Sequence, residues 1–563
     1  MNRFTELLPR RSDYAGVRYG WKADLVAGLT VGIVALPLAL AFGITTGMGA
    51  RSGMITAIVA GLIAAVFGGS NVQASGPTGA MTVVLVPIVA RYGTDAVLVV
   101  GIIAGILVTA AAIGRLGRYL AYIPWPVIEG FTVGIAIIIF LQQVPTALGV
   151  SKPEGENTAA VAIRSVNNAF SNGNLQSIAL VGLVIAIMLL VPRIRGSLPA
   201  SLIAVAVATI VAEVASLNVS RIGLLPSSLP LPTLPSTSYS EIRHLLSAGF
   251  AVALLASMES LLSAKVADGM SIGERHDPNR ELFGQGLANI VSPMFGGMPA
   301  TGAIARTAVN VRSGARTRLA AITHAILLLF VVFFGGGLVS KIPLAALAGV
   351  LIVTAYRMVE KHNVLALIHS TRSDAAILFA TTAATIAFDL IVAVEIGVAL
   401  AAFLTLRQIA LSSEAHPEPL PVDELIDSTD EILLLREHVI VYRIDGALFF
   451  GAAQRFLTEL TAVSDVKVII LRLSQVQVID ATGAQALGEI VRELESRDIT
   501  VLLKGVRQRH KRILKTVGAL DNLAHDNHLF ETLDDALEHA RMHVARTAHA
   551  VDEVYTLHSD LPG

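Results

Sequence analysis

Residues 23–408 are an almost unbroken succession of apolar runs, and this limits the folds open to the chain more than any other feature. Apolar segments of this length, repeated this often, need a bilayer as solvent. Composition agrees. The chain is 54% hydrophobic and 15% charged, where a soluble domain carries about 25% charged residues. A formal net charge of −1 gives no field that would recruit nucleic acid. Without cysteine, disulfides and thiolate chemistry are excluded. The histidines are scattered, mostly in loops and the last third, with no HExxH-like spacing, so no metal site is expected. No catalytic constellation or cofactor motif is visible, so the chain is read as a non-enzyme without cofactors.

Spans fall near residues 23–42, 53–67, 79–90, 96–113, 124–144, 176–193, 198–217, 246–266, 281–296, 303–311, 316–339, 341–357, 374–390 and 391–407. That makes fourteen. The first 22 residues hold Arg3, Arg10, Arg11, Arg18 and Lys22, a basic flank that places the N-terminus in the cytoplasm. On that assignment the cytoplasmic loops carry Arg115/Arg118, Arg193/Arg195, Lys265 to Arg280, Arg312/Arg316/Arg318 and Arg357/Lys361/Arg372. The opposite loops hold fewer cations, such as Arg91, Lys152 and Lys341. This asymmetry supports fourteen spans with both termini cytoplasmic, in the plasma (inner) membrane. Residues 151–175 read as a polar extracytoplasmic loop with room for a short helix, and 222–237 as a Pro-rich connector.

Two of the apolar runs are broken. Residues 67–81 read FGGSNVQASGPTGAM and residues 295–304 read FGGMPATGAI. Both place Phe-Gly-Gly, then Pro, then Thr-Gly-Ala before a short hydrophobic run. Paired Gly/Pro-interrupted segments in two halves are the sequence pointer to a transporter's binding site. Each short helix exposes its first amides, which favour an anion. The first is expected to begin at Pro77 and to offer the amides of Thr78, Gly79 and Ala80 with the hydroxyls of Ser75 and Thr78. The second is expected to offer amides from Thr301, Gly302, Ala303 and on to Ala305, with the Thr301 hydroxyl. Arg306 follows at once. An arginine at membrane depth faces a cavity or a partner, and its fork suits carboxylate, sulfate or bicarbonate. Glu259, midway along the eighth span, is a titratable group that can carry a coupling proton, with Ser263 one turn later on the same face. Lys265 and Asp268 read as a structural pair, and Gln142, Gln143 and Glu129 as lining or packing polars.

These strings carry a family resemblance. MESLL (258–262), D-G-M (268–270), N-x-E-L-x-G-Q-G-x-x-N in outline (279–289) and A-I-A-R-T-A-x-N-V-R-S-G (303–314) resemble the SulP anion transporters. These are the sulfate permease family, kin of animal anion exchangers and of prestin. The strings come closest to bacterial dicarboxylate-type members. The resemblance implies an α-helical polytopic fold of two inverted seven-segment repeats, with the third and tenth segments as facing half-helices between core and gate domains. It also implies elevator-like alternating access and a homodimer. In sodium-coupled bicarbonate relatives the positions matching Glu259 and Ser263 help bind the ion. Those relatives tend to have Asp at the carboxylate and a small residue where this chain has Arg306, which weakens a sodium reading.

After the Pro- and acid-rich stretch SSEAHPEPLPVDE (412–424) the pattern turns to alternating β and α signals. The string V-I-D-A-T-G (478–483) resembles a STAS domain, the module shared with anti-sigma-factor antagonists, whose phosphorylated serine matches Thr482. The simpler reading is that Asp480 and Thr482 cap a helix. The expected organisation is 1–22 cytoplasmic, 23–408 transmembrane (repeats 23–217 and 246–408), 409–430 linker, 431–545 STAS and 546–563 tail. The expected function is secondary transport of a small anion of the sulfate, bicarbonate or C4-dicarboxylate class. Proton-coupled symport leads, with a regulatory protein as a partner of the STAS domain. Sodium-coupled bicarbonate symport, anion exchange and an anion channel or voltage-responsive protein stay open.

Overall fold

The computed structural model describes residues 6–118, 124–155, 157–194, 198–223, 228–235, 239–271, 275–388, 390–411, 414–419, 435, 437–449, 466–525 and 527–545. The chain divides into two compact units, 1–401 and 402–563.

The first unit is helical. It contains α1 (Val17–Thr45), α2 (Gly49–Phe67), α3 (Gly79–Tyr92), α4 (Thr94–Ile113), α5 (Trp125–Leu148), α6 (Thr158–Asn172), α7 (Leu175–Ile194), α8 (Ala200–Val214) and α9 (Tyr239–Met270). It continues with α10 (Pro278–Met294), α11 (Ile304–Arg312), α12 (Leu319–Phe334), α13 (Gly336–Val339), α14 (Leu344–Met358), α15 (Lys361–Ser370), α16 (Arg372–Ala387) and the first half of α17 (Leu390–Leu411), the helix in which the unit boundary falls. Each expected span falls on a helix. Six of them, in α1, α2, α4, α5, α7 and α9, are each long and apolar enough to cross a membrane. Large apolar side chains such as Ile210, Phe330, Phe334 and Phe403 stand exposed, as a lipid-facing surface requires. The chain is a multi-pass integral membrane protein.

Two packing groups are visible. Helices α1, α2 and α4 pack with α9, α10 and α12, while α5 and α7 pack with α14 and α16. The first group is interleaved from both halves of the sequence. Lipid tails are as apolar as leucine, so close backbone approach rather than hydrophobic burial drives such contacts. The α4–α10 crossing illustrates this: a Cβ on Gly286 would stand 2.8 Å from the Thr109 amide nitrogen.

The helix for which the polar 151–175 stretch has room is present as α6, 15 residues long and capped by the Asn157 side chain, which accepts from the Ala160 amide at 3.0 Å. Other expectations are corrected. The 316–339 run breaks at Gly335 into α12 and α13. Asp268 pairs with His276 at 2.6 Å rather than with Lys265, because the fold sets the His276 ring beside it and its amide also donates to Asp268. Residues 224–227 and 236–238 of the Pro-rich connector lie outside the described residues.

The second unit is α/β. Its strands are β3 (Glu414–Glu418), β4 (Val439–Leu448), β5 (Val468–Arg472), β6 (Val476–Ile479), β7 (Thr500–Lys504) and β8 (Leu529–Phe530); β1 and β2 belong to the first unit. The order is β3-β4-β5-β7-β8, with β3 antiparallel and the rest parallel, and β6 pairing with β4 beyond a register shift at Gly446/Ala447. Among the described residues it also holds helices α18 (Ala481–Glu495), α19 (Gln508–Thr516) and α20 (533–545). Buried Ile469, Leu471, Val501 and Leu503 form a core with Leu487, Ile490 and Leu494 of α18. Within the stretch expected as a linker, 409–430, Glu414–Glu418 pairs with β4 as an edge strand, and residues 412–413 and 420–430 lie outside the described residues. Alternation within EAHPE permits the pairing, and Pro417 is tolerated at an edge. The helical segment read at FGAAQRFLTEL lies outside the described residues.

Candidate functional site

Neither α3 nor α11 can span a bilayer. At about 1.5 Å per residue, 14 and nine residues reach roughly 21 and 14 Å against a hydrocarbon core of about 30 Å. The backbone leading into each helix is extended, and these two lead-in segments pair. Strand β1 (Ser75–Gly76) runs antiparallel to β2 (Thr301–Gly302), with Ser75 opposite Gly302 and Gly76 opposite Thr301. This two-residue bridge sets the helix starts side by side. The Ala303 amide donates to the Ala74 carbonyl at 3.0 Å, and the Ala74 amide donates to Thr307 Oγ1 at 3.1 Å.

The polar residues around the bridge hold it. Asn289 of α10 clamps Ala300: its Oδ1 accepts from the Ala300 amide and its Nδ2 donates to the Ala300 carbonyl, both at 2.8 Å. Gln285 Nε2 donates to Ser75 Oγ at 2.6 Å and to Glu281 Oε1 at 3.0 Å. Glu281 Oε2 accepts from the Gly69 and Ser70 amides at 2.8 and 3.1 Å. From α11, Asn310 Nδ2 donates to the Val72 carbonyl at 2.7 Å. From α9, Ser260 Oγ meets Thr301 Oγ1 at 2.9 Å and accepts from the Gly302 amide at 3.0 Å. Glycine is required at the bridge. Gly76 adopts φ +151°, and a Cβ there would lie 2.6 Å from Arg306 Nη1.

Arg306 leaves the first turn of α11 and reaches across to α3, where Nη2 donates to the Pro77 carbonyl. It is buried, and its Nη1 makes no hydrogen bond among the described residues. Glu259 of α9 accepts from the Thr78 hydroxyl at 2.9 Å. Arginine and carboxylate therefore meet neighbouring residues, Pro77 and Thr78, at the start of α3, rather than each other in a direct ion pair. Thr78 also caps α3, accepting from the Met81 amide at 3.3 Å, so the helix begins at Gly79 rather than at Pro77.

The bridge sorts the expected donors. The amides of Gly302 and Ala303 are taken by Ser260 and Ala74. The Thr301 hydroxyl is taken by Ser260 and the Ala256 carbonyl. Ser75 Oγ accepts from Gln285. Ser263 meets Thr307 Oγ1 at 2.9 Å, so it fastens α11 to α9. The amides of Gly79 and Ala80 on α3, and of Ile304, Ala305 and Arg306 on α11, have no partner among the described residues. Helix α11 has no side-chain cap. Two helix starts, with free amides and a guanidinium between them, make a compact positive site.

Residues outside this site have structural roles. Glu129 accepts from Trp125 Nε1 and Asn363 Nδ2 at 3.1 and 2.9 Å. Gln142 and Gln143 line a separate cleft with Thr45 and Lys152. Glu395 is exposed, and Asp389 lies outside the described residues. In the α/β unit Thr482 is exposed, while the Asp480 side chain caps α18, accepting from the Gly483 amide at 2.7 Å.

Two short interrupted helices whose starts are paired inside a polytopic helical unit are the arrangement of a membrane transporter rather than of an enzyme. The sulfate permease family matches residues 21–381, and the STAS domain matches residues 433–536. The chain belongs to the sulfate permease (SulP) family and carries a C-terminal STAS domain. It is 34% identical over 527 residues to the putative sulfate transporter YvdB of Bacillus subtilis (strain 168), covering 92% of this chain and 97% of that one. It resembles the transmembrane domain of a cyanobacterium bicarbonate transporter, BicA, with a TM-score of 0.63 at 32% identity, over 67% of this chain and 98% of that one. The murine anion transporter Slc26a9 in its inward-facing state shares the fold, with a TM-score of 0.82 at 15% identity, over 96% and 95% of the two chains.

Proposed function

We propose that this chain is a secondary transporter of small oxyanions or carboxylates, and that the anion sits between the starts of α3 and α11. The amides of Gly79, Ala80, Ile304 and Ala305 and Arg306 Nη1 are its donors. One observation carries the reading: Arg306 Nη1 is buried without a partner among the described residues, beside two helix starts whose first amides are unused. An unmet buried donor costs about 1–3 kcal/mol, more when charged, so an anion completes the site. Sulfate, bicarbonate and C4-dicarboxylates all fit this donor set.

The transmembrane unit works as fourteen spans in two inverted sevens, with both termini cytoplasmic and the chain paired as a homodimer. The group built from α1–α4 and α9–α12 is the moving core, and the group built from α5, α7, α14 and α16 is the gate it moves against. Glu259 carries the coupling proton, because it is the carboxylate that touches the α3 start. The STAS domain is the regulatory part, with Thr482 as the exposed hydroxyl open to phosphorylation.

Counterflow in proteoliposomes with labelled sulfate, bicarbonate and succinate tests the substrate class. Saturable exchange of at least one is expected; none exchanging would remove the reading. Similarity to the bicarbonate transporter BicA favours a second reading, bicarbonate uptake, for which sodium coupling stays open. The fixed charge of Arg306 beside Glu259 opposes a bound cation, and replacing sodium with choline separates the two. Uptake unchanged in choline supports the proton.

A further inference from the structure

The α/β unit gathers histidines that lie apart in the sequence. His528 precedes β8, and its carbonyl accepts from the Leu503 amide at 2.9 Å, fixing it to the sheet edge. His539 and His543 stand four residues apart on α20, and so share one face of that helix. The fold turns this face onto His528. Ring centroids lie 5.2 Å apart for His528–His539, 5.4 Å for His528–His543 and 5.0 Å for His539–His543. One ligating nitrogen from each ring falls within 4.8 Å of the others. The His539 and His543 Nε2 atoms are 3.3 Å apart. Tetrahedral zinc with Zn–N of about 2.0–2.1 Å sets its nitrogens roughly 3.4 Å apart, so this edge already has the required length.

We propose that His528, His539 and His543 form a binding site for a borderline divalent transition-metal ion, Zn2+ first, that fastens α20 to the β7–β8 edge of the sheet. Three imidazoles without carboxylate or thiolate select zinc, copper or nickel over magnesium and calcium. The ring of His528 is fully buried, and neither of its nitrogens makes a well-formed hydrogen bond among the described residues. A buried, unsatisfied imidazole facing two others is costly unless something completes it. His525 stacks edge-on against His528 at 5.2 Å and screens the cluster. Three ligands leave a fourth position for water.

The test uses the full-length protein in detergent, with its purification tag removed and chelator dialysed away. Zinc chloride is titrated calorimetrically, and the thermal transition is followed with and without zinc. One Zn2+ per chain and a raised transition are expected. His539→Gln and His543→Gln lie at partly exposed positions and should fold. Each should weaken zinc binding by more than the ~10–100-fold that loss of an outer partner costs. Cobalt(II) should bind at the same stoichiometry with the intense visible bands of tetrahedral coordination. Absence of saturable zinc binding, or binding unchanged in both variants, would overturn the site.

Discussion

Replacing Asn289 with leucine tests whether the bridge positions the site. Asn289 is fully buried, and its side chain bonds both the amide and the carbonyl of Ala300, one residue before β2. Leucine keeps the branching and heavy-atom count with bulkier methyl groups, a packing cost shared by the comparison below, and makes neither bond. Two backbone groups are then left unpaired at a buried residue, each costing about 1–3 kcal/mol, for a total of roughly 2–6 kcal/mol. The bond from Nδ2 to the Gln285 carbonyl adds little, since that carbonyl lies inside α10. Asn310→Leu is the internal comparison. It frees one carbonyl, that of Val72, and also removes the buried Asn310 Oδ1, which has no partner among the described residues. Its cost should be at most about 1–3 kcal/mol. Thermal unfolding of the detergent-solubilised variants and the affinity for a transported anion are the two measurements. Asn289→Leu should unfold at a clearly lower temperature than Asn310→Leu, and should lose anion affinity although Arg306 is intact. A variant that unfolds with the parent and binds anion as tightly would refute the idea that Asn289 sets α11.

Three further outcomes are expected. Glu259→Gln retains the Thr78 contact but not the titratable group, so exchange down a gradient should persist while accumulation driven by an acid-outside gradient is lost; proton-driven accumulation in that variant would end the proton-carrier role. Asp480→Ala should cost the STAS domain about 0.5–2 kcal/mol of stability through loss of the cap, whereas exposed Thr482→Ala should stay within roughly 0.5 kcal/mol, read by chemical denaturation. Deleting residues 424–563 should leave the helical unit folded and monodisperse by size-exclusion chromatography, because its core is independent.

The helices were legible because lipid imposes one rule on every segment: an apolar run must close its own backbone bonds. The half-helices were legible because Gly-Gly and Pro interrupt two such runs in the same order. The use made of individual donors was not legible. Spacing puts Ser263 on the face of Glu259, yet Thr307 of a different helix claims it. Local sequence presents Gly302 and Ala303 as open amides, but pairing between β1 and β2 brings acceptors from residues 74 and 260. Such partners lie tens to hundreds of residues away, and only the packed fold selects them. The same holds for the histidines. His539 and His543 stand at an i, i+4 spacing without the glutamate of an HExxH motif, which by itself pointed to no metal, and His528 joins them only through the strand order of the sheet.

The central claim is that Arg306 and the two helix starts hold the anion, and Arg306→Ala tests it most directly. For whichever anion the parent exchanges, binding to the purified protein is measured with parent and variant side by side. A charge-assisted hydrogen bond of about 1.5–3 kcal/mol predicts an affinity loss of roughly 10- to 150-fold. The variant should remain folded: it removes Nη1, which lacks a partner among the described residues, and the one bond from Nη2 to the Pro77 carbonyl, at a cost of about 1–3 kcal/mol. Parent-like affinity in a folded Arg306→Ala protein would contradict the account.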